Sequence, residues 1–462
     1  MDASAVIKEL EGLVQQGRVL SDPDSLQKYG CDWTKQWQPD PLAIVLPKSL
    51  KEIQSVVCWA NDKQISLVPS GGRTGLSGGA VARNKEVVIA LDLLNEISEF
   101  SETERTVRCG AGVITQHLQD FAEEKGFYYP VDFASSGSSQ IGGNISTNAG
   151  GIKVIRYGMT RDWVAGLTVV TGKGEVLSLN KGLVKNATGY DLRHLFIGAE
   201  GTLGIVVDAT IQLAMPPKNL TVLVLGAPDF ASIMQILNTF QSNIDLTAFE
   251  FFSEVATSHV VAGGNVARPF AEQAPYYTLL EFEADNEKML ETAMALFESC
   301  VEQGWVLDGV MSQSERQAEN LWKLRETISE TIAEFTPYKN DISVTISRVP
   351  DFIAEVDAIV SANYPDFEIV WFGHIGDGNV HLNILKPENL AKEEFFGHCQ
   401  KVSQWVFEIV QKYEGSISAE HGVGLLKQPY LAYTRSEEEI AYMKAIKQVF
   451  DPKGIMNPGK VL

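Results

Sequence analysis

The segment Trp371-Phe372-Gly373-His374-Ile375-Gly376-Asp377-Gly378-Asn379-Val380-His381-Leu382-Asn383 carries two histidines on either side of a Gly-Asp-Gly turn, both with apolar flanks. Read as two strands joined at that turn, it predicts that His374 and His381 face each other across a hairpin. Strand alternation puts Asn383 on the same side as His381. A third group of ligand type stands in Ser418-Ala419-Glu420-His421-Gly422-Val423-Gly424, after an apolar helix predicted from about Phe395 to Lys412. Two imidazoles and one carboxylate hold zinc or a similar divalent ion and leave coordination positions open to substrate. Histidines satisfied in a core or at a surface give the same spacing, so both readings stand on these residues alone.

Two glycine-rich stretches call for different chemistry. Gly71-Gly72-Arg73-Thr74-Gly75-Leu76-Ser77-Gly78-Gly79 has five glycines in nine positions. Successive backbone N-H groups surround a pyrophosphate only where side chains do not block the approach, and glycine admits the positive φ that such a nest requires. A single loop of this kind serves a tight bend equally well. It fits neither GxGxxG with a following helix nor GxxxxGK[ST], which removes support for nicotinamide and nucleoside-triphosphate readings. The second stretch, Ser135 to Gly151, adds many short hydrogen-bonding side chains, and two such loops in one domain are not accounted for as turns.

The elements that must position these groups are legible in outline. Ala43 to Pro47 reads as a strand. Ser49 to Lys63 reads as a helix with Ile53, Val56, Val57 and Ala60 on one face and Ser49 and Glu52 in capping-box spacing. Ser66 to Val68 gives a second strand that runs into the first glycine loop. Strands at Val87 to Leu91 and Thr106 to Cys109, a helix from about Ile114 to Lys125, a hairpin from Leu167 to Leu179 and a strand from Gly201 to Leu213 follow. From about Pro216, strands such as Thr221 to Leu225 and Tyr277 to Phe282 alternate with helices such as Ile233 to Phe240 and Glu287 to Gln303. That pattern predicts an antiparallel sheet with helices on one face. Helices at Ser314 to Phe335 and Ser436 to Val449 complete the chain.

With 462 residues, two or three domains are expected. A formal charge of −21 repels nucleic acid and anionic lipid, and any acidic substrate needs a local concentration of cations. No apolar run reaches the roughly 18 residues of a spanning helix. The acidic, helically spaced N-terminus resembles neither a secretory signal nor a transit peptide, which makes the cytoplasm the expected compartment. Five scattered cysteines without CxxC predict reduced structural thiols.

The segments PSGGRTGLSGG, IGGNISTNAGG, RYGMTRDWVAG, GAEGTLGIV and DPKGIMNPGK resemble, in order and over nearly the whole chain, the FAD-linked oxidases related to vanillyl-alcohol oxidase. That resemblance implies an α+β fold in which an FAD-binding domain of two subdomains (39–216) follows an N-terminal helical segment (1–38). An α+β substrate- and metal-binding cap (217–425) and a C-terminal helical segment returning to the FAD (426–462) come after it. It implies flavin contacts at Pro69, Gly71, Gly72, Arg73, Thr74, Gly75, Leu76, Ser77, Gly78 and Gly79. Others fall at Ser136, Gly137, Gly142, Gly143, Asn144, Thr147, Asn148, Gly150 and Gly151, then at Tyr157, Gly158, Glu200, Gly201, Gly204, Ile205 and Asn457. Residues 69–81 contain no histidine or cysteine to bond the flavin, so non-covalent FAD is expected.

GHxGDGNxHxN and SxEHGxG are further similar to the subgroup of D-2-hydroxyglutarate, D-lactate and glycolate dehydrogenases. By that resemblance His374, His381 and Glu420 hold a divalent metal, expected to be zinc, His421 is the general base, and Arg325, Ser329, Lys339 and Asn383 join His421 at a small D-2-hydroxy acid. The expected reaction carries hydride from C2 to flavin N5, and the implied electron acceptor is an electron-transfer flavoprotein or a quinone. A homodimer is implied for the assembly. Arg325 on a helix is otherwise a solvated or surface-paired side chain. Arginine grips a carboxylate with two parallel hydrogen bonds. Arg325 with Lys339 therefore suits a dicarboxylate such as 2-hydroxyglutarate or malate, whereas lactate leaves one cation unused. Ser329 and Asn340 depart from the threonine and aromatic usual there, which leaves D-lactate, D-malate and glycolate open. A zinc hydrolase built on the same ligands leaves both glycine loops unexplained, and an FAD-binding subunit without activity leaves His421 unexplained.

Overall fold

The computed structural model describes residues 3–264 and 266–462. The chain divides into two compact units, one from Met1–Gly151, Gly158–Pro216 and Glu420–Leu462, the other from Ile152–Tyr157 and Pro217–Ala419.

Among the described residues, the first unit has two sheets. In one, β1 (Val19–Leu20), β2 (Ala43–Val45), β3 (Leu67–Ser70) and β4 (Val87–Ala90) lie in the order β1-β2-β4-β3. β2, β4 and β3 are parallel, and their apolar runs suit strands covered on both faces. The helix Leu50–Lys63 turns Ile53, Val56, Val57 and Ala60 inward, and Ser49 Oγ accepts from Glu52 N. The Glu52 carboxylate reaches back to Lys48 N (2.6 Å) rather than to Ser49 N, so only half of the expected capping box forms.

In the other sheet β5 (Ile97–Ser101), β6 (Thr106–Gly110), β7 (Val164–Thr171), β8 (Val176–Leu179) and β9 (Gly204–Gln212) run antiparallel in the order β5-β6-β9-β7-β8. Leu167 stands opposite Leu179 in the expected hairpin. The second glycine-rich stretch is not all loop, since Ile141–Thr147 is helical. A Cβ on Gly142 would come within 2.6 Å of Ala111 Cβ, so glycine there permits close packing of a helix, a role that composition does not separate from a turn. The chain end is built into the first sheet. Met456 bridges Leu67, and Ile455 and Met456 lie in the same core as Val6, Leu10 and Val56.

The second unit is organised on an antiparallel sheet ordered β13-β10-β12-β11-β15-β16-β14. Its strands are β10 (Leu220–Ala227), β11 (Leu246–Ser253), β12 (Tyr276–Glu283), β13 (Asp308–Met311), β14 (Tyr338–Ser343), β15 (Glu368–Gly373) and β16 (Asn379–Leu385). Helices cover both faces rather than the single face expected. Phe230, on the helix Phe230–Gln241, packs on Phe251, while Leu321 and Trp322 cluster with Phe252 and Phe372 on the opposite face. The reason is visible in β11, buried along its whole length and so in need of cover on both sides. The helix expected from Ser314 to Phe335 breaks into Glu315–Glu326, Ile328–Thr331 and a 3-10 turn Ile332–Phe335. At the break Thr327 Oγ1 donates back to Lys323 O (2.7 Å), a bond of a kind that Ser55 and Thr292 also make within unbroken helices. No helix among the described residues is long and apolar enough to cross a membrane.

Candidate active site

In the first unit the loop Gly71–Gly79 leaves the carboxyl end of β3 and is held from behind by its own side chains. Arg73, at φ +62°, donates to Gly71 O (2.6 Å) and forks onto Asp92 (2.8 and 3.1 Å) while stacking on Tyr29. Its guanidinium is therefore occupied in shaping the loop. Gly78 N donates to the buried Asp32 carboxylate (2.7 Å), whose own pKa burial raises. A Cβ on Gly72 would lie 2.2 Å from Ser138 O, so the two glycine stretches meet backbone to backbone.

Asn457 closes the loop from the chain terminus, its Nδ2 donating to Gly79 O (2.9 Å) and Glu200 O (2.7 Å). The Glu200 carboxylate accepts from Val423 N (2.7 Å) and Gly424 N (2.8 Å), and burial outweighs these bonds to push its pKa up to about 7. Asn148 Oδ1 accepts from Arg161 N, Asn144 Nδ2 donates to Thr115 Oγ1, and Thr147 Oγ1 donates to Gly143 O. Gly204 and Ile205 lie in the β7–β9 packing. Ser70 Oγ, Gln140 Oε1 and Asn457 Oδ1 are buried without a hydrogen-bond partner. Beside a loop that tolerates no side chain at Gly72 or Gly78, the orphaned amide oxygens of Gln140 and Asn457 fit an N-H donor such as that of a flavin ring, and the Ser70 hydroxyl can donate to an anionic oxygen.

In the second unit register does the positioning. Opposed residues share a face in an antiparallel pair. Lys339 opposes Asn383, Asp341 opposes His381, His381 opposes Phe372, and Phe372 opposes Phe252, two residues from Glu250. One sheet face thus carries Glu250, Phe372, His381, Asp341, Asn383 and Lys339. His374 follows β15 directly, and its ring meets that of His381 edge to face with centroids 5.3 Å apart. The turn between them needs glycine at Gly378, where φ is +83° and a Cβ would lie 2.2 Å from Val344 O. His374 Nδ1 donates to Glu250 Oε1 (2.7 Å), and His381 Nδ1 stands 3.8 Å from Asp341 Oδ1. A carboxylate hydrogen-bonded at Nδ1 directs an imidazole to a metal through Nε2; His374 meets that condition, whereas Asp341 is beyond hydrogen-bond distance of His381.

Arg325 is buried rather than solvated, at 6% exposure, with Nε 2.7 Å from Glu250 Oε2 and its guanidinium 4.6 Å over Phe372. Lys339 stays exposed on the edge strand β14, and Ser329 is exposed beyond the helix break. Asn383 is buried and spends its amide on Val370 O and His381 O. Tyr157 belongs to this unit, and burial raises its pKa. Glu420 and His421 open the last segment of the first unit, with 3.6 Å between carboxylate and ring.

Sequence reasoning missed Glu250 and a second buried acid, Glu281, which accepts from Lys153, Thr247 (2.5 Å) and Trp322 (2.9 Å). The signal was there. Each is a carboxylate between apolar neighbours in a strand, Phe249-Glu250-Phe251 and Leu280-Glu281-Phe282, and such a charge persists in a core only when paired.

The first unit thus offers a glycine loop with room for a polar group, and the second a sheet face that carries an imidazole and a lysine, with a second imidazole at its end and a buried guanidinium over it. Residues 41–180 match the family described as FAD binding domain, and residues 216–461 match FAD linked oxidases, C-terminal domain. The chain belongs to the FAD-linked oxidase family. It is 66% identical over 461 residues to D-2-hydroxyglutarate dehydrogenase of Stutzerimonas stutzeri strain A1501, covering 100% of this chain and 99% of the relative. It is 54% identical over 455 residues to D-2-hydroxyglutarate dehydrogenase of Xanthomonas citri pv. viticola, covering 98% and 96%. The fold is shared with 4-ethylphenol oxidase from Gulosibacter chungangensis, at a TM-score of 0.77 and 15% identity, over 99% of this chain and 96% of that one.

Proposed function

We propose that this FAD-linked oxidase oxidises D-2-hydroxyglutarate to 2-oxoglutarate with a divalent metal, zinc in the first instance, held by His374, His381 and Glu420. When bound, FAD supplies at N5 the acceptor for hydride from C2, and the metal supplies Lewis acidity toward the substrate hydroxyl and carboxylate. His421 accepts the hydroxyl proton as general base. Arg325 binds the distal carboxylate and Lys339 adds a second cation, while Asn383 and Ser329 complete the polar lining. Glu420 joins the two histidines as third ligand. Chain continuity supports it, because Ser416, four residues earlier, pairs with Ser343 at the end of β14. Electrons leave to a flavoprotein or quinone carrier.

The observation that carries the reading is the burial of Arg325 against Phe372 and Glu250, on the face that bears His381. A desolvated guanidinium beside an imidazole pair is what a second carboxylate requires. The test is anaerobic bleaching of the flavin by D-2-hydroxyglutarate, D-malate, D-lactate and glycolate, before and after chelation and metal restoration. D-2-hydroxyglutarate should bleach fastest, and only with metal. Arg325→Lys keeps the charge but loses the fork, so its kcat/KM for D-2-hydroxyglutarate should fall roughly ten- to a hundredfold, with a smaller change for D-lactate. Equal losses for both acids would remove the distal-carboxylate role, and a flavin that no acid bleaches would remove the substrate class.

A further inference from the structure

We infer that Glu250 is a positioning residue that sets the metal-facing ring and the substrate-facing guanidinium together, an inference that rests on the metal and substrate roles proposed above. Its side chain is 1% exposed in the middle of β11. Oε1 accepts a hydrogen bond from His374 Nδ1 (2.7 Å) and Oε2 stands 2.7 Å from Arg325 Nε. The first contact fixes the tautomer, since a proton on Nδ1 leaves the Nε2 lone pair for a cation.

The second contact is a close ion pair whose N-H is not aligned on the oxygen, so Glu250 Oε2 and Arg325 Nε both fall short of a hydrogen bond. Pinned at Nε and laid over Phe372, the guanidinium keeps its two terminal amino groups for a carboxylate from outside the chain. One carboxylate therefore orients a metal ligand and a substrate anchor that lie on different elements.

Two variants separate these duties. Glu250→Gln keeps an acceptor for the His374 Nδ1 proton and removes the charge opposite Arg325. Glu250→Leu removes both. FAD-loaded proteins are dialysed against a graded chelator series, bound zinc is counted, and KM and kcat for D-2-hydroxyglutarate are measured. Glu250→Gln should hold zinc to within about threefold of the wild-type chelator concentration, with KM raised about tenfold and kcat changed less. Glu250→Leu should release zinc at roughly ten- to a hundredfold lower chelator.

Wild-type zinc retention in Glu250→Leu, or a KM unmoved in Glu250→Gln, overturns the inference. A wild-type protein that never retains a divalent ion sinks the metal proposal instead, and the KM of Glu250→Gln then decides the role of Glu250 alone. If Glu250→Leu does not keep its FAD, the split between KM and kcat in Glu250→Gln carries the decision.

Discussion

At the residue scale, the carboxyl of Glu200 is held where burial favours its neutral form while two backbone N-H groups favour the charged one, and burial prevails, with a pKa near 7 against an ordinary 4.5. A carboxyl whose pKa rises on folding contributes fully below its unfolded value and loses that contribution as pH climbs through the folded value. Wild-type protein should therefore lose thermal stability between pH 4.5 and about 7 more steeply than Glu200→Gln, which cannot ionise. The glutamine still accepts one of the two bonds and gives up the other, at a cost of about 1 kcal/mol that does not vary with pH. Unfolding curves at several pH values check this, and parallel slopes for the two proteins would remove the assignment. Arg325 teaches a related lesson. Its helix position reads as solvated, and only the burial of Leu321, Trp322 and Leu324 around it shows that this helix turns its arginine inward.

At the element scale, glycines in this chain govern how closely backbones approach. Gly72→Ala puts a methyl 2.2 Å from Ser138 O, a backbone atom that cannot rotate aside. An overpacking cost of about 1–3 kcal/mol should lower the melting temperature by roughly 3–10 °C and release FAD on gel filtration; retained flavin at wild-type stability would show that the stretches move apart freely. Much of this level was legible beforehand. Strands β2, β4 and β7, the helix Leu50–Lys63 and the histidines flanking a Gly-Asp-Gly turn follow from period, caps and turn residues within a dozen positions. What stayed hidden depends on distant partners. Glu250 and His374 are 124 residues apart in sequence, and nothing local announces their bond. The helix Ile141–Thr147 was masked by its glycine pair, and the break after Glu326 comes without a glycine or proline to announce it.

At the scale of the whole molecule, each unit has its own core, and the first is closed by the end of the chain. Ile455 and Met456 are 2% and 0% exposed, and Asp451 Oδ1 and Oδ2 accept from their two N-H groups. Ending the chain at Phe450 removes, among other buried groups, the side chains of Ile455 and Met456, worth about 3–6 kcal/mol together, a large share of the roughly 5–15 kcal/mol that holds a domain. The truncated protein should fail to retain FAD, while limited proteolysis still yields a resistant fragment near residues 217–419; stable flavin binding by the truncated chain would show that the terminus is dispensable. The same feature governs biosynthesis. Strand β3 emerges from the ribosome almost four hundred residues before the Met456 that pairs with it, so the first unit waits, incomplete, while the second is made and folds. Capture of the flavin should then follow the synthesis of residues 217–419, and chains made short of the cofactor should show a protease-resistant second unit beside an open first one.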